Sequence, residues 1–358
     1  MSLENFAKIF SSFFWKSPPY LIFFVTSKCN SKCRHCFYWK QISESSRKKE
    51  LALDEIEKIA KNYGKLLYLS IGGGEPFMRN DIPEICEAFH RHTGVSFITL
   101  TTNGLNSKRT ASEIELALQK CPHVDFTVPL SIDGLEKTQD SIRGVKGCFS
   151  KVMETYAELS KLKQKYKNLA IDVNTVVSAY NVGEIEKIFE FVSEKMPEIR
   201  NHGICFARGA TKEEKAKKVS AKRLKEIMAF EKKIKELKRK DKGITDRVFD
   251  ALSLLVNRTA LDFVEGKPMS WNCLAGKKFV EINETGDVFP CEILFEKIGS
   301  LRENNYSVLK ILSGKKSKEA SMKIRGRKCN CTFECAISNA LVYSPKKYPE
   351  LLAIMRKI

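Results

Sequence analysis

Three cysteines near the start of the chain have the spacing of a metal-binding loop. Cys29, Cys33 and Cys36 follow the apolar segment 20–26 in a C-x3-C-x2-C pattern. Three thiolates are one fewer than a closed zinc or iron–sulfur site uses, so a metal bound here keeps one position open. An open position can bind and activate a second molecule, and the pattern therefore predicts a reactive metal centre.

A structural zinc site is the alternative interpretation of this loop. Zinc-binding cysteines are usually paired as C-x2-C and need a fourth ligand nearby. His35 lies within the loop, but it is adjacent to Cys36 and poorly placed to share one tetrahedron with it. The spacing favours an iron–sulfur cluster over zinc, and both interpretations stay open at this point.

A second group of cysteines lies in the last quarter of the chain. Its members are Cys273, Cys291, Cys329, Cys331 and Cys335. Twelve cysteines in a lysine-rich chain without a secretion signal favour reduced thiols over a disulfide framework. The remaining four stand alone and are interpreted as small core residues: Cys86, Cys121, Cys148 and Cys205.

The elements that position these residues follow a regular alternation. Short β-rich apolar segments alternate with longer amphipathic segments, which predicts strand and helix units around a parallel sheet. The predicted strands are 20–26, 66–71, 95–101, 124–132, 169–177 and 200–206, and the predicted helices are 53–63, 82–92, 108–120, 149–166 and 182–195. Six such units predict an α/β fold, a partial (β/α)6 TIM-like barrel.

Residues suited to chemistry or to close backbone approach follow each predicted strand. In chain order they are the cysteine loop, Gly72-Gly73-Gly74-Glu75-Pro76, Thr102-Asn103-Gly104, Asp133-Gly134, Asn174-Thr175 and Arg208-Gly209. Parallel barrels place their active sites at the carboxyl ends of the strands. We therefore expect these residues to converge on one face.

Changes in composition divide the chain into five predicted parts. These are an N-terminal amphipathic helix (1–17), the barrel (18–210), a helical linker (211–267), a small cysteine-rich domain of hairpin and helix (268–340) and a C-terminal tail or helix (341–358). Residues 279–290 have the pattern of a hairpin with its turn at 283–286. That hairpin would bring Cys273 and Cys291 to one site.

The net charge of +19 is compatible with nucleic acid, an anionic membrane surface or an acidic substrate. Much of it is local, because 212–242 holds 14 basic and 6 acidic residues. No nucleic-acid signature accompanies this segment, so nucleic acid is not an expected partner. The chain shows no membrane span and no secretion signal, which predicts a cytoplasmic protein.

The N-terminal segment 1–16 places its apolar residues on one helical stripe. Such a helix can lie in a membrane interface, helped by the basic surface. Packing against the bottom of the barrel is the interpretation that we favour, with peripheral membrane contact as the alternative.

The cysteine loop after the first strand, the glycine-rich turn after the second and Ser131-Ile132-Asp133-Gly134 after the fourth together resemble the radical S-adenosylmethionine superfamily. The resemblance implies that Cys29, Cys33 and Cys36 hold a [4Fe-4S] cluster whose fourth iron binds S-adenosylmethionine. One electron from that cluster would cleave the cofactor to methionine and a 5'-deoxyadenosyl radical, which abstracts a hydrogen atom from the substrate.

The resemblance also implies a set of cofactor contacts. They are His35, Gly72, Gly73, Gly74, Glu75, Thr102, Asn103, Ser131, Asp133, Arg143 and Asn174. His35 stands where members usually carry an aromatic residue near the adenine, and Arg143 matches an arginine that meets the cofactor carboxylate. No catalytic acid, base or radical-quenching residue is assigned.

The second cysteine group resembles the auxiliary-cluster extension called SPASM, or its shortened form called twitch. A full SPASM extension uses seven or more cysteines, whereas this segment has five. Four cysteines satisfy one cluster, so the number favours a single auxiliary [4Fe-4S] cluster. Whether Cys329 or Cys331 is a ligand stays open, and a structural zinc is the alternative.

The substrate is not identified by these motifs. A peptide, a lipid and a small metabolite are the classes considered, with a flavodoxin or ferredoxin as the expected electron donor. The alternative function is a non-enzymatic zinc or iron–sulfur protein that binds nucleic acid or anionic lipid through its basic surface.

Overall fold

One mixed sheet lies at the centre of the protein in a computed structural model that describes residues 3–238, 240, 243–267, 271–326 and 331–358. Its strands are β1 (Tyr20–Thr26), β2 (Tyr68–Gly73), β3 (Phe97–Leu100), β4 (Asp125–Ser131), β5 (Leu169–Val177), β6 (Ile199–Phe206), β7 (Phe279–Ile282), β8 (Asp287–Phe289) and β9 (Gly299–Ser300). Their order in the sheet is β6-β5-β4-β3-β2-β1-β7-β8-β9. Strands β1 to β6 are parallel neighbours, which confirms the predicted α/β fold.

The helices are α1 (Leu3–Ser11), α2 (Trp39–Ser43), α3 (Leu53–Tyr63), α4 (Ile82–Thr93), α5 (Ser107–Lys120), α6 (Glu136–Arg143), α7 (Cys148–Lys165), α8 (Ile185–Lys195), α9 (Ala221–Leu237), α10 (Ile244–Val264), α11 (Val308–Ser313), α12 (Lys315–Arg325), α13 (Glu334–Val342) and α14 (Tyr348–Met355). Helices α3, α4, α5, α7 and α8 confirm the five that the periodicity predicts between the strands. The apolar pattern of the sequence does not predict α6, which has a strongly polar composition and ends at Gly144 in the left-handed conformation.

The two faces of the sheet differ in accessibility. Leu21, Leu69 and Ile98 point towards the surrounding helices and are fully buried. Tyr20 and Tyr68 directly precede Leu21 and Leu69 in their strands and are paired with each other. They face the inside of the barrel and are only half-buried. The apolar core therefore lies between sheet and helices, while the inner face borders an accessible space.

The C-terminal segment continues the sheet of the barrel. Strands β7 and β8 form the predicted antiparallel hairpin, with Glu281 opposite Phe289. Strand β7 also pairs in parallel with β1, so that Tyr20 lies beside Phe279. The predicted boundary at residue 268 falls outside the described residues, and the sheet itself runs across it.

The N-terminal segment packs against the C-terminal part of the chain. Ser12 Oγ lies 2.8 Å from the hydroxyl of Tyr343, and the ring of Phe13 packs against that of Tyr343 at 4.9 Å. Phe10 and Phe14 stay exposed on the other side. No helix in the described part of the chain is long and apolar enough to span a bilayer.

Candidate active site

A cavity of about 210 Å³ lies at the carboxyl ends of the barrel strands. Most of the predicted site residues line it: Cys29, Cys33, His35, Cys36, Gly72, Gly73, Gly74, Glu75, Thr102, Asn103, Ser131 and Arg143. Asp133 is fully buried behind this lining, and Asn174 is exposed on the inner face of β5, outside it. The geometry thus brings residues from four strand ends together.

Steric contacts explain why glycine occupies the turn after β2. Gly73 has a φ of 121°, a conformation that side chains disfavour. A Cβ at Gly74 would overlap the carbonyl of Lys28 in the cysteine loop. The amide of Gly74 donates to the carbonyl of Thr26 at 2.8 Å, so this turn and the start of the cysteine loop are in direct contact.

Glu75 connects three neighbouring loops. Its carboxylate accepts a hydrogen bond from Thr102 Oγ1 at 2.8 Å and another from the amide of Asn103 at 2.7 Å. Asn103 Nδ2 in turn donates to Asn30 at 2.7 Å, within the cysteine loop. Burial raises the pKa of Glu75 to about 7, although these hydrogen bonds oppose the shift. Glu75 therefore fixes the cysteine loop to the ends of β2 and β3.

Arg143 forms a buried ion pair behind the cysteines. Its Nη2 lies 2.6 Å from Oδ2 of Asp133, and its Nη1 donates to Sγ of Cys33 at 3.7 Å. Burial works against its charge, but Asp133 and Cys33 raise the pKa of the guanidinium above its ordinary value. The arginine is thus held as a cation directly beside a candidate cluster ligand.

His35 also contacts the carboxylate of Asp133. Its Nε2 is 3.5 Å from Oδ2 of Asp133. Burial lowers the pKa of His35 to about 4, against the attraction of Asp133, so the ring is neutral near pH 7. A neutral ring carries one donor and one acceptor, and Nδ1, which points away from Asp133, is the nitrogen that remains for a bound group.

Helix α6 supplies more than Arg143. Gln139, one turn earlier and fully buried, accepts from the amide of Asp133 at 2.7 Å and donates to the carbonyl of Ser131 at 2.8 Å. The carbonyl of Arg143 accepts from the amide of Lys32 in the cysteine loop. The sequence analysis did not identify Gln139. It lies four residues before Arg143, and this spacing, which places both side chains on one helical face, could have identified it.

The three thiols of the cysteine loop are protonated in the metal-free protein. Burial raises the pKa of Cys29 to about 11 and of Cys36 to about 12, and it raises the pKa of Cys33 as well. Binding of iron requires thiolates, so loading this loop releases protons. None of the three thiols forms a disulfide, so all of them are available as ligands.

The lining fits a cluster with a bound cofactor. Nδ1 of His35 and Nε of Arg143 are buried without a hydrogen-bond partner in the described structure. The glycines of the turn have no side chains, so their backbone is accessible from the cavity, and the three thiols of the cysteine loop line the same cavity. Within the described ranges, no three His, Cys, Asp or Glu side chains surround a point as a single metal ion requires.

Further lining residues include Phe37, Tyr38, Cys205 and Arg208. Tyr38 donates a hydrogen bond to Glu284, which also binds Lys48 Nζ at 2.7 Å. Glu284 belongs to the hairpin turn between β7 and β8. The C-terminal segment therefore contacts the cysteine loop directly, a relationship that spacing in the sequence does not reveal.

The second cysteine group lies beside this hairpin. Burial raises the pKa of Cys291 to about 12, and the nearby thiol of Cys273 contributes to the shift. Cys273 also lines a separate cavity of about 300 Å³ together with Trp271 and Arg325. Cys331 and Cys335 lie in the described residues, whereas Cys329 lies outside them. The proximity of Cys273 and Cys291 agrees with the predicted effect of the hairpin.

Comparison with known proteins finds a family whose sequence model matches most of the barrel. The sequence model of the Radical SAM superfamily matches residues 23–192. The chain is 29% identical over 200 residues to Fe-coproporphyrin III synthase of Methanosarcina barkeri, an alignment that covers 54% of this chain and 46% of that protein. This chain spans about half the length of several curated relatives that it matches, including that one.

Two other similarities extend over more of the chain. The AdoMet-dependent heme synthase of Methanosarcina barkeri is 27% identical over 303 residues, which cover 81% of each protein. The solved structure of anSMEcpe with bound AdoMet and Cp18Cys peptide has a TM-score of 0.59 and 18% identity, covering 94% of this chain and 98% of that one. The similarity to anSMEcpe shows a shared fold that includes the C-terminal segment.

Proposed function

We propose that this chain, whose residues 23–192 match the sequence model of the Radical SAM superfamily, is an enzyme of that superfamily that cleaves S-adenosylmethionine reductively at a [4Fe-4S] cluster bound by Cys29, Cys33 and Cys36. The observation that carries the proposal is the convergence of these thiols with the glycine turn and Arg143 on one cavity. When bound, the cluster and cofactor would supply a 5'-deoxyadenosyl radical, which removes a hydrogen atom from an unactivated carbon.

The residues around the cavity would bind and orient the cofactor. Arg143 is a buried cation that can pair with a carboxylate, and Gly73 and Gly74 allow the backbone to approach the methionine part closely. Ser131 offers a hydroxyl from the end of β4, and His35 offers a neutral ring for the adenine or ribose. The role of Glu75 and Asp133 is to hold these groups in place.

We place one auxiliary [4Fe-4S] cluster at the second cysteine group. Cys273, Cys291 and Cys335 are the ligands that we propose, with Cys329 or Cys331 as the fourth. The electrostatic influence of Cys273 on the thiol of Cys291, which raises the pKa of Cys291, supports this assignment. Four thiolates are sufficient for one such cluster.

The substrate would bind on the inner face of the barrel. This face carries accessible polar side chains, among them Tyr68, Ser70 and Asn174, below the cavity. An organic molecule inserted there would present a carbon to the cofactor, whether it belongs to a peptide, a lipid or a small metabolite. A flavodoxin or ferredoxin would deliver the electron to a basic protein surface.

Peripheral membrane contact through the N-terminal segment is part of the proposal. Phe10 and Phe14 expose 68% and 80% of their surface, while Phe13 is held by Tyr343. The ammonium group of Lys65 lies 5.8 Å from the ring centre of Trp15, which directly follows Phe14, and a cation beside exposed aromatic rings suits an anionic lipid surface.

Anaerobic reconstitution tests the enzymatic proposal. The wild-type protein should bind about eight irons, as two four-iron clusters, and release 5'-deoxyadenosine when reduced with S-adenosylmethionine. The C33A variant should lose this release, whereas C121A, a change at a buried cysteine outside both groups, should keep it. Zinc in place of iron after anaerobic purification would contradict the proposal.

A further inference from the structure

Arg208 is the point where the cavity meets the second cysteine group. It follows β6, lines the cavity beside Cys205, and its side chain is 12% exposed. Two carboxylates bind it. Its Nε lies 2.7 Å from Glu292, and its Nη1 and Nη2 lie 2.6 and 3.0 Å from the two oxygens of Glu334.

Both carboxylates are neighbours of proposed auxiliary ligands in the sequence. Glu292 directly follows Cys291, and Glu334 directly precedes Cys335. The guanidinium also lies 4.7 Å from the ring centre of Phe333 and 5.7 Å from that of Phe37, which directly follows Cys36. One side chain therefore contacts the neighbours of three cysteines from distant parts of the chain.

We infer that Arg208 is a positioning residue that holds the Cys291 and Cys335 segments at one site and fixes that site next to the cavity. The planar fork of arginine suits this task, because it can bind one carboxylate with two nitrogens and a second one through Nε. The inference rests on the proposed function, since it concerns the ligands of the auxiliary cluster.

Charge supports this role. Glu292 is 4% exposed and has Arg208 as its ion-pair partner, so loss of the guanidinium leaves a carboxylate buried without a cation. Uncompensated buried charges are strongly unfavourable, and the two segments would separate to hydrate them. Arg208 also brings a positive charge beside two of the proposed ligands, which favours the reduced, more negative state of a cluster there.

The first test compares two arginines of the same strand region. R208M in the full chain, purified anaerobically, should lose roughly half of its iron, because the auxiliary site fails while the cysteine loop stays loaded. R200M is the matched control: Arg200 forms an equally short pair with Asp172 at 2.6 Å, away from the cysteine segments. If R208M retains the wild-type iron content, the inference is wrong.

The second test separates positioning from general stability. E334Q removes one negative charge but leaves the pair of Arg208 with Glu292, and it should raise the reduction potential of the auxiliary cluster. D172N, which removes the partner of Arg200, should leave that potential unchanged. An unchanged potential in E334Q would contradict the inference, because a residue with only a structural role predicts no such directed shift.

Further variants distinguish failure of this inference from failure of the proposed function. If wild-type protein binds no iron or releases no 5'-deoxyadenosine, the proposed function fails, and the inference is then tested on the metal-free chain. Alkylation of Cys291 and Cys335 should be on the order of tenfold faster in R208M than in wild type, and unchanged in R200M. If R208M does not fold, the double variant R208M/E292Q, which removes both charges, replaces it. Equal alkylation rates in the arginine variant and in wild type would overturn the inference.

Discussion

The hydroxyl of Tyr20, the first residue of β1, donates a hydrogen bond to Sγ of Cys335 at a distance of 3.3 Å. Its ring packs edge-on against Tyr68 at 4.9 Å and lies near Phe279 of β7. The first strand of the barrel thus carries a donor to a proposed ligand of the auxiliary cluster, more than three hundred residues later in the chain.

Removal of this donor should change the auxiliary cluster without unfolding the barrel. Hydrogen bonds to cluster sulfurs stabilise the reduced state, so Y20F should lower the reduction potential of the auxiliary cluster. Y63F is the control, because the hydroxyl of Tyr63, a fully buried residue, donates to the carbonyl of Pro18 and not to a cysteine. Redox titration followed by electron paramagnetic resonance makes the comparison; equal potentials in Y20F and wild type would contradict the expected role.

A side chain at Gly74 should displace the cysteine loop. A Cβ there would overlap the carbonyl of Lys28, so G74A should reduce 5'-deoxyadenosine release by roughly 10- to 100-fold. G183A is the control, since a Cβ at Gly183 meets nothing within 4 Å. Single-turnover assays of both variants give the measurement, and a G74A rate equal to that of G183A would show that the close approach is not needed.

Loss of the Asp133 charge should destabilise the protein more than loss of the Asp172 charge. Breaking a buried pair by removal of one partner costs about 3–5 kcal/mol. D133N leaves Arg143 without its partner in a fully buried setting, whereas D172N affects the more accessible pair with Arg200. Urea unfolding of the metal-free chains should give a clearly lower midpoint for D133N, and equal midpoints would refute the assigned importance of the buried pair.

Protonation of His202 should make stability depend on pH. Burial lowers the pKa of His202 to about 3, with Lys235 and Lys238 adding to the shift, and its Nε2 lies 2.8 Å from Thr175 Oγ1. The unfolded chain binds this proton near pH 6.5 and the folded chain does not. The contribution of neutral His202 to the free energy of unfolding is complete above pH 6.5. Below that pH it declines by about 1.4 kcal/mol per pH unit, down to about pH 3.

The H202Q variant isolates that contribution. The difference in the free energy of unfolding between wild type and H202Q should be constant from pH 7 to 8 and should shift against wild type as the pH falls to 5. Groups with other shifts, such as Glu75 with its raised pKa, are present in both proteins and cancel in the difference. A difference that does not change with pH would rule out a neutral His202 in the folded protein.

Vesicle binding tests the exposed phenylalanines of the N-terminal segment. F10S/F14S should release the protein from vesicles that contain anionic lipid, because burial of each ring contributes about 1.5–3 kcal/mol. L352S is the control, since Leu352 is also exposed but lies on α14. Sedimentation with vesicles measures binding, and wild-type protein that stays in solution would contradict membrane contact.

Much of the barrel could be predicted because local patterns determine it. β1 and β5 have the predicted bounds, and their runs of apolar residues leave few alternatives for burial. The cysteine loop and the glycine turn were recognisable because each combines unusual residue types at short spacing. Their convergence follows from the parallel topology, which places the carboxyl ends of neighbouring strands together.

The contacts made by the C-terminal segment could not be predicted in the same way. Tyr38 with Glu284 and Arg208 with Glu334 join residues that are far apart in the chain, and charged residues are common at the surface of such a basic protein. Nothing in their local sequence distinguishes a buried ion pair from two solvated charges. Only the pairing of β7 with β1 brings these residues together.

That pairing also has a consequence for the order of biosynthesis. Strand β1 leaves the ribosome early, but β7, its neighbour on one side, follows after roughly 250 further residues, or about 12 to 50 seconds of translation. During this interval the backbone groups on that edge of an apolar strand are unpaired and can associate with other nascent chains. A chain truncated before Phe279 is therefore expected to aggregate, and a chaperone that covers β1 would raise the yield of the full-length protein.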